Sequence, residues 1–332
     1  MEIRIKAEGS FPWQVRVLIP REELLQKAIL SFPYFDALNR GTGVVRYRGQ
    51  QVRRKTWEEV SKYKVFLEEH LRFHGLIGPD GKPRRRFIAL GARDLANNLG
   101  YLAFLKGKGL FYLQDEPKLG ISSYTCFFWG PNGFGIDDFS VDFEGGRISR
   151  QGETQESYDF VVSGLPLVKN GEPVDIQREE FLRKCTDIRH IFRLTPQEEE
   201  DLFQGYPDDM EGFLERLSEL FARGPTRAWY VHSGVGITER GDLLILQAPG
   251  TLEEVAELAK GGGAQDFIVL DNGGSCFLYA PLNPDSTTFL NQSPKWRRPT
   301  VALLAFLLHG ELPSNHDGYI EGVRRRYAGD RG

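Results

Sequence analysis

The apolar and polar pattern is most legible between Thr251 and Ala280. Thr251 with Glu254 three positions on forms a capping box, and Leu252, Val255, Ala256 and Ala259 share one face at helical spacing. Gly261, Gly262 and Gly263 end that helix. Phe267-Ile268-Val269-Leu270 has no polar alternation, which predicts a strand covered on both faces. The upstream run Leu243-Leu244-Ile245-Leu246 supplies a partner, so the segment reads strand–helix–strand. Toward the N-terminus, residues 14–19 alternate as a strand and residues 21–32 read as a helix opened by Pro20. Residues 56–76 read as an amphipathic helix, with Val60, Tyr63, Leu67 and Leu71 on one side. Residues 90–175 predict short strands and turns, including hairpins at Glu144-Gly145-Gly146 and Asn170-Gly171. Residues 177–223 switch to helix, 227–237 return to sheet, and 300–308 form an apolar strand.

Together these elements predict an α+β fold, a mixed β-sheet flanked by helices. The turn-rich run Gly78-Pro79-Asp80-Gly81-Lys82-Pro83 marks a boundary. Residues 1–85 then form an N-terminal extension, either a small α/β unit or a continuation of the same sheet. Residues 86–310 form the main domain, with a helical insertion at 177–223, and 311–332 a polar tail. Composition changes this little: 40% hydrophobic and 27% charged residues in 332 allow a packed core and do not indicate disorder. A net charge of −4 gives no general field for nucleic acid, so no nucleic-acid polymer is expected as a partner. Cys126, Cys185 and Cys276 lack metal-ligand spacing and point to free thiols in a reducing compartment. With no signal-like start and no apolar run of ~18 residues, the chain reads as cytoplasmic and free of membrane. Nothing in the pattern fixes an oligomeric state.

Candidate chemistry gathers at Asp271, just beyond the carboxyl end of a buried strand, where such sheets place ligands. Gly273 and Gly274 let backbone N–H groups approach a ligand, and Ser275 adds a hydroxyl. The same residues also fit a tight turn with no ligand. His70 and His74 have the i, i+4 spacing of metal ligands, but no third ligand completes a set, and they read as a solvated helix face. Gly130-Pro131-Asn132-Gly133-Phe134-Gly135 before Asp137-Asp138 reads as a loop. No cofactor and no metal are expected.

Four further pieces stand in order: Ser163-Gly164-Leu165-Pro166-Leu167-Val168 with Asn170-Gly171, His232-Ser233-Gly234-Val235-Gly236-Ile237, Leu270-Asp271-Asn272-Gly273-Gly274-Ser275, and Arg298-Pro299. In this order and setting the chain resembles the phosphodiester glycosidase family over roughly residues 158–308. The resemblance implies hydrolysis of a sugar joined through C1 to a phosphodiester, with a small-molecule or glycan phosphodiester as substrate. It places Asp271 as nucleophile or general base, with His232 and Ser275 beside it as catalytic groups. Asn272, Gly273, Gly274, Ser233, Arg298 and Asn98 would bind substrate. A phosphodiester anion departs without a proton, so one carboxylate could serve where glycosidases ordinarily use two. Arg298 would be the bidentate phosphate partner, and His232 a phosphate-binding imidazolium or proton shuttle. The bland alternatives are a core histidine at 232 and a surface ion pair at 298.

Against the family pattern, His232 and Ser233 stand where it has arginine and threonine, and Asn272 where it has glycine. The family's upstream Asn-Gly-Gly-Phe segment has two candidate counterparts, Asn97-Asn98-Leu99-Gly100-Tyr101 and Asn132-Gly133-Phe134. A second function class is therefore a catalytically inactive module that binds a sugar phosphate or nucleotide. A third, an interaction scaffold using the N-terminal helices, has no motif behind it.

Overall fold

The apolar runs fold mainly into strands in the computed structural model. It describes residues 1–6, 13–35, 65–92, 102–112, 123–175, 194–205, 208–222, 230–283, 286–291, 298–310 and 312. Along the chain the first elements are β1 (Glu2–Lys6), β2 (Gln14–Ile19), β3 (Leu24–Ser31), α1 (Leu67–Phe73) and β4 (Phe87–Gly91). Then come β5 (Leu102–Leu105), β6 (Gly109–Tyr112), β7 (Ser123–Gly130), β8 (Gly133–Asp142), β9 (Arg147–Arg150) and β10 (Glu153–Thr154). β11 (Phe160–Ser163), β12 (Leu165–Lys169) and β13 (Glu172–Pro173) precede the helices α2 (Pro196–Leu202) and α3 (Met210–Ala222). The last third holds β14 (Tyr230–Thr238), β15 (Leu243–Gly250), α4 (Leu252–Gly261), β16 (Ala264–Asn272), β17 (Leu278–Asn283), β18 (Ser286–Phe289) and β19 (Leu303–Leu308).

These strands form three sheets, ordered β1-β2-β15-β14-β16-β12-β13, β10-β9-β8-β7-β11-β5-β6 and β18-β17-β4-β19-β3. The class is α+β. Within it, every ladder among the described residues is antiparallel rather than mixed. The strand–helix–strand unit of β15, α4 and β16 is present, but β14 lies between its two strands and pairs antiparallel with both. Small residues make that insertion possible: the Phe267 ring lies over Gly234 and Gly236, and a Cβ would collide with that ring at Gly234 and with the Asp266 carbonyl at Gly236. α4 opens with the expected capping box, Thr251 accepting from the Glu254 amide while the Glu254 carboxylate accepts from the Thr251 amide.

One apolar core is shared by all three sheets, with Val17 and Ile245, Leu90 and Leu304, and Phe127 and Val162 as members from each. A second lies behind the first sheet, where Leu246 and Phe267 meet Val255 and Ala259 of α4. A third packs α1, through Leu71, on the outer face of the β4–β19 sheet. β16 therefore buries both faces, Ile268 and Leu270 inward and Phe267 and Val269 toward α4. Burial on both sides is what an unbroken apolar run encodes.

Residues 21–32 are not a helix. After a short 3-10 turn at Arg21–Glu23, β3 is a strand paired with β19, Leu30 opposite Leu304 and Ala28 opposite Phe306. The run Leu24-Leu25…Ala28-Ile29 mimics helical spacing, yet Leu30 enters the shared core while Ile29 packs on α1's side. A helix would bury one such stripe; a strand buries both. Of the helix expected over 56–76, α1 covers Leu67–Phe73, and residues 56–64 lie outside the described residues. The Gly78–Pro83 turn leads from α1 directly into β4. N-terminal strands are woven into the same sheets as the rest, β2 against β15 and β3 against β19. Pro131-Asn132 is the tip of the β7–β8 hairpin rather than a loop, and Asp138 on β8 is tied to Lys169 and Thr125. The Asn170-Gly171 turn has positive φ at both residues (53° and 78°), the geometry that joins β12 to β13 as a tight hairpin. Among the described residues no helix is long and apolar enough to cross a membrane.

His70 is a structural group rather than part of a solvated face. It is fully buried, its Nε2–H donating to the Thr300 carbonyl (3.0 Å) and its Nδ1 accepting from the Ser31 hydroxyl (2.9 Å). Burial pushes its pKa down to about 4, so the folded protein holds the ring neutral. A depressed histidine stabilises fully above the unfolded value of about 6.5. Below that, the unfolded chain takes up a proton that the folded chain refuses. Stability is therefore expected to fall by about 3 kcal/mol between pH 6.5 and 4 on this account alone. Urea midpoints at pH 7 and 4.5 check it: the drop in wild type should shrink in His70→Gln. An equal drop in the variant would assign the acid sensitivity elsewhere.

A candidate carboxylate site at the end of β16

Strict alternation from Ile268 would turn Asp271 toward α4. The structure turns it the other way. The β14–β16 register runs Gly234 opposite Val269 and then Ser233 opposite Asp271, so Leu270 is an extra residue, a bulge. A bulge re-aims the side chains that follow it. Asp271 thereby shares a face with Ser233, and β15 continues the row, since Gln247 lies opposite Ser233. That face is the inner one. Val235 and Ile245, two residues from Ser233 and Gln247, belong to the core shared by the three sheets.

Asp271 is 4% exposed. Its Oδ1 accepts the Asn272 backbone N–H (2.9 Å) and the Ser275 hydroxyl (2.9 Å). Its Oδ2 faces β4 of the opposite sheet, where a Cβ built on Gly91 would stand 2.7 Å away. Glycine at 91 is thus what lets a carboxylate sit between two sheets. Positive φ at Gly273 (74°) opens the 3-10 turn Gly273–Ser275, which returns the Ser275 hydroxyl to the carboxylate four residues earlier. Next to it, Cys276 is buried with its thiol 3.5 Å from the Val231 carbonyl. Burial first, and then the Asp271 charge, push that thiol well above its ordinary pKa, so it stays protonated.

Arg298 is exposed, and its guanidinium lies over the Gly273–Ser275 turn, 3.0 Å from where a Gly274 Cβ would be. A buried carboxylate and an exposed cation thus stand on either side of the Gly273–Ser275 turn. Ser233, Asp271, Ser275, Gly273, Gly274 and Arg298 are brought together, and Asn272 joins them through its backbone N–H while its side chain, opposite His232, alternates to the other face. His232 is not among them. It lies opposite Asn272 and Ala248 on β14, alternates to the α4 side, and hydrogen-bonds through Nε2 to the Gly250 carbonyl (3.2 Å). With no exposed surface it packs behind the sheet, as strand alternation requires of the residue before Ser233. Asn98 and Cys185 lie outside the described residues.

The Asn132-Gly133-Phe134 segment belongs elsewhere. With Arg21, Trp129 and His309 it lines a cavity of about 420 Å³. His309 follows β19 and Leu24 starts β3, so this cavity lies at the far end of those strands from the Gly91–Leu303 pair beside Asp271. No group of three or more His, Cys, Asp or Glu that could hold a metal occurs among the described residues.

Sequence reasoning missed Gly91, Gln247 and Asn291. Gln247 had a signal, as the one polar residue interrupting Leu243-Leu244-Ile245-Leu246 and Ala248. Gly91 had none, because its importance comes from a strand in another sheet.

No family model and no curated protein matches this chain. Among solved structures, it is similar to the catalytic domain of zebrafish N-acetylglucosamine-1-phosphodiester alpha-N-acetylglucosaminidase, auto-inhibited by its pro-peptide. The identity is 15% and the TM-score 0.46, covering 93% of this chain and 82% of that one. It is also similar to a hypothetical protein from Synechocystis, at 8% identity and TM-score 0.35, covering 92% of this chain and 61% of that one. These are likenesses of overall shape, and at such TM-scores they say nothing about chemistry at Asp271.

Proposed function

We propose that this chain is a hydrolase of glycosyl phosphodiesters, in which Asp271 is the carboxylate at the anomeric carbon. The observation that carries the reading is the bulge at Leu270, which aims a buried carboxylate inward at a strand end, just before a glycine turn covered by the Arg298 guanidinium. An oxocarbenium-like centre develops positive charge at C1, and a carboxylate held by Ser275 and the Asn272 amide is oriented to meet it, as nucleophile or as base toward water. Arg298 suits the phosphodiester because the leaving group is an anion and the guanidinium offers a planar pair of donors. The amides of the Gly273–Ser275 turn add further donors on the same side. His232 has no part in this chemistry. Its ring serves the sheet–helix packing on the other side.

The position of His232 favours one second reading, a module that binds the glycosyl phosphate without cleaving it. The two differ in turnover. Free reducing sugar should appear from a sugar 1-phosphate methyl diester, and in ¹⁸O-water the label should enter the sugar at C1 and not the phosphate. Binding of the diester without any sugar release, in wild type as in Asp271→Asn, would establish the binding module instead.

A further inference from the structure

Three polar side chains near Asp271 are buried with no hydrogen-bond partner among the described residues. Ser233 and Gln247 are both fully buried, and neither the Ser233 hydroxyl nor the Gln247 amide O and N find a hydrogen bond among the described residues. Asn291 is 3% exposed, with both amide atoms in the same condition. It follows Leu290, whose N–H donates to the Leu278 carbonyl, and Leu278 lies opposite Leu90 next to Gly91. All three therefore occur at the Asp271 end of the shared core. A buried amide left unmatched is strongly unfavourable, and native interiors rarely tolerate one, so such groups call for a partner.

Their chemistry restricts that partner. A carboxamide has two N–H donors and an accepting oxygen, and a hydroxyl both donates and accepts. A cation would satisfy only the oxygens, an anion only the N–H groups. A group that gives and takes hydrogen bonds, such as a hydroxyl, satisfies both. The row Asp271–Ser233–Gln247 crosses three adjacent strands, about 10 Å from end to end at the usual interstrand spacing. Ser233 and Gln247 stand on adjacent strands about 5 Å apart, close enough for neighbouring hydroxyls of one sugar ring to reach both.

We propose that Gln247 and Ser233 form the sugar-hydroxyl subsite of this protein, reading the uncharged polyol part of the ligand while Arg298 takes its anionic part. This rests on the carboxylate-site reading above and deepens it. It divides the site by charge: neutral amide and hydroxyl groups in the interior, a carboxylate at the reacting carbon, and a guanidinium over the glycine turn. Gln247 is then the residue that sets which hydroxyl pattern is accepted, because its donor and acceptor positions cannot be exchanged without rotating the amide.

The test uses the full chain in an Asp271→Asn background, which binds without turnover. Methyl α- and β-pyranosides of glucose, galactose and mannose, and separately inorganic phosphate, are titrated calorimetrically into Asp271→Asn and into its combinations with Gln247→Met and Gln247→Leu. The expected result is that at least one glycoside binds the parent and is weakened tenfold or more by both replacements, while phosphate binding is unchanged. The thermal midpoint should hold or rise, since an apolar isostere removes the unmatched amide. Equal glycoside affinity in parent and variants would overturn the proposal and leave Gln247 as a group satisfied by buried water. Absence of glycoside binding by the parent would overturn it as well. The hydrolase reading fails separately, through absence of sugar release by wild type.

Discussion

Asp271→Asn should abolish sugar release while leaving the fold intact, lowering kcat/KM on a sugar 1-phosphate methyl diester on the order of a thousandfold. A carboxamide can neither form a glycosyl ester nor accept a proton from water, so it removes both roles open to Asp271. It keeps the geometry, because the amide oxygen can still accept the Ser275 hydroxyl and the Asn272 N–H that Oδ1 accepts now. Circular dichroism and the thermal midpoint should therefore stay near wild type. Activity within a few-fold of wild type, with the fold retained, would remove Asp271 from the chemistry and with it the hydrolase reading. Because the readout is free sugar, a contaminating phosphodiesterase, which labels the phosphate in ¹⁸O-water, is distinguished in the same assay.

Gly234→Ala is expected to be the most damaging small substitution in the sheet that carries the site. A Cβ at this position would stand 2.3 Å from the Ile268 carbonyl oxygen and 2.6 Å from the Phe267 ring. The ring could turn aside, but the carbonyl is backbone of the neighbouring strand, so β14 and β16 would have to separate. Overpacking of this kind costs roughly 3 kcal/mol, which lowers the thermal midpoint by roughly 4 °C in a protein this large. The effect should reach the site too, because Gly234 adjoins the bulge that turns Asp271 inward. Gly261→Ala is the control. Nothing lies within 4 Å of its Cβ position at the end of α4, so that change should be neutral or mildly stabilising. Equal midpoints for Gly234→Ala and wild type would show that the two strands are not in contact there.

Much of the fold was legible in the chain. The capping box at Thr251, the unbroken run at residues 267–270 and the Asn-Gly hairpin at 170–171 carry their instructions within a few residues, and each forms as read. The helix expected over 21–32 failed because its apolar positions answer to β19, nearly three hundred residues away. His70 was misread for the same reason: its partners, Ser31 and Thr300, are remote in sequence.

By itself the sequence determined where the carboxylate would stand, at the end of a buried strand before a glycine turn, because strand length, capping and turn chemistry are local. Which way that carboxylate points was decided only by tertiary structure. One extra residue at Leu270 reverses the face, and its placement depends on the register against β14. Tertiary structure also selected the company Asp271 keeps, Ser233, Gln247 and Gly91 in place of His232. The period-2 alternation of a strand fixes relative faces only, and the absolute choice is made by what packs on each side.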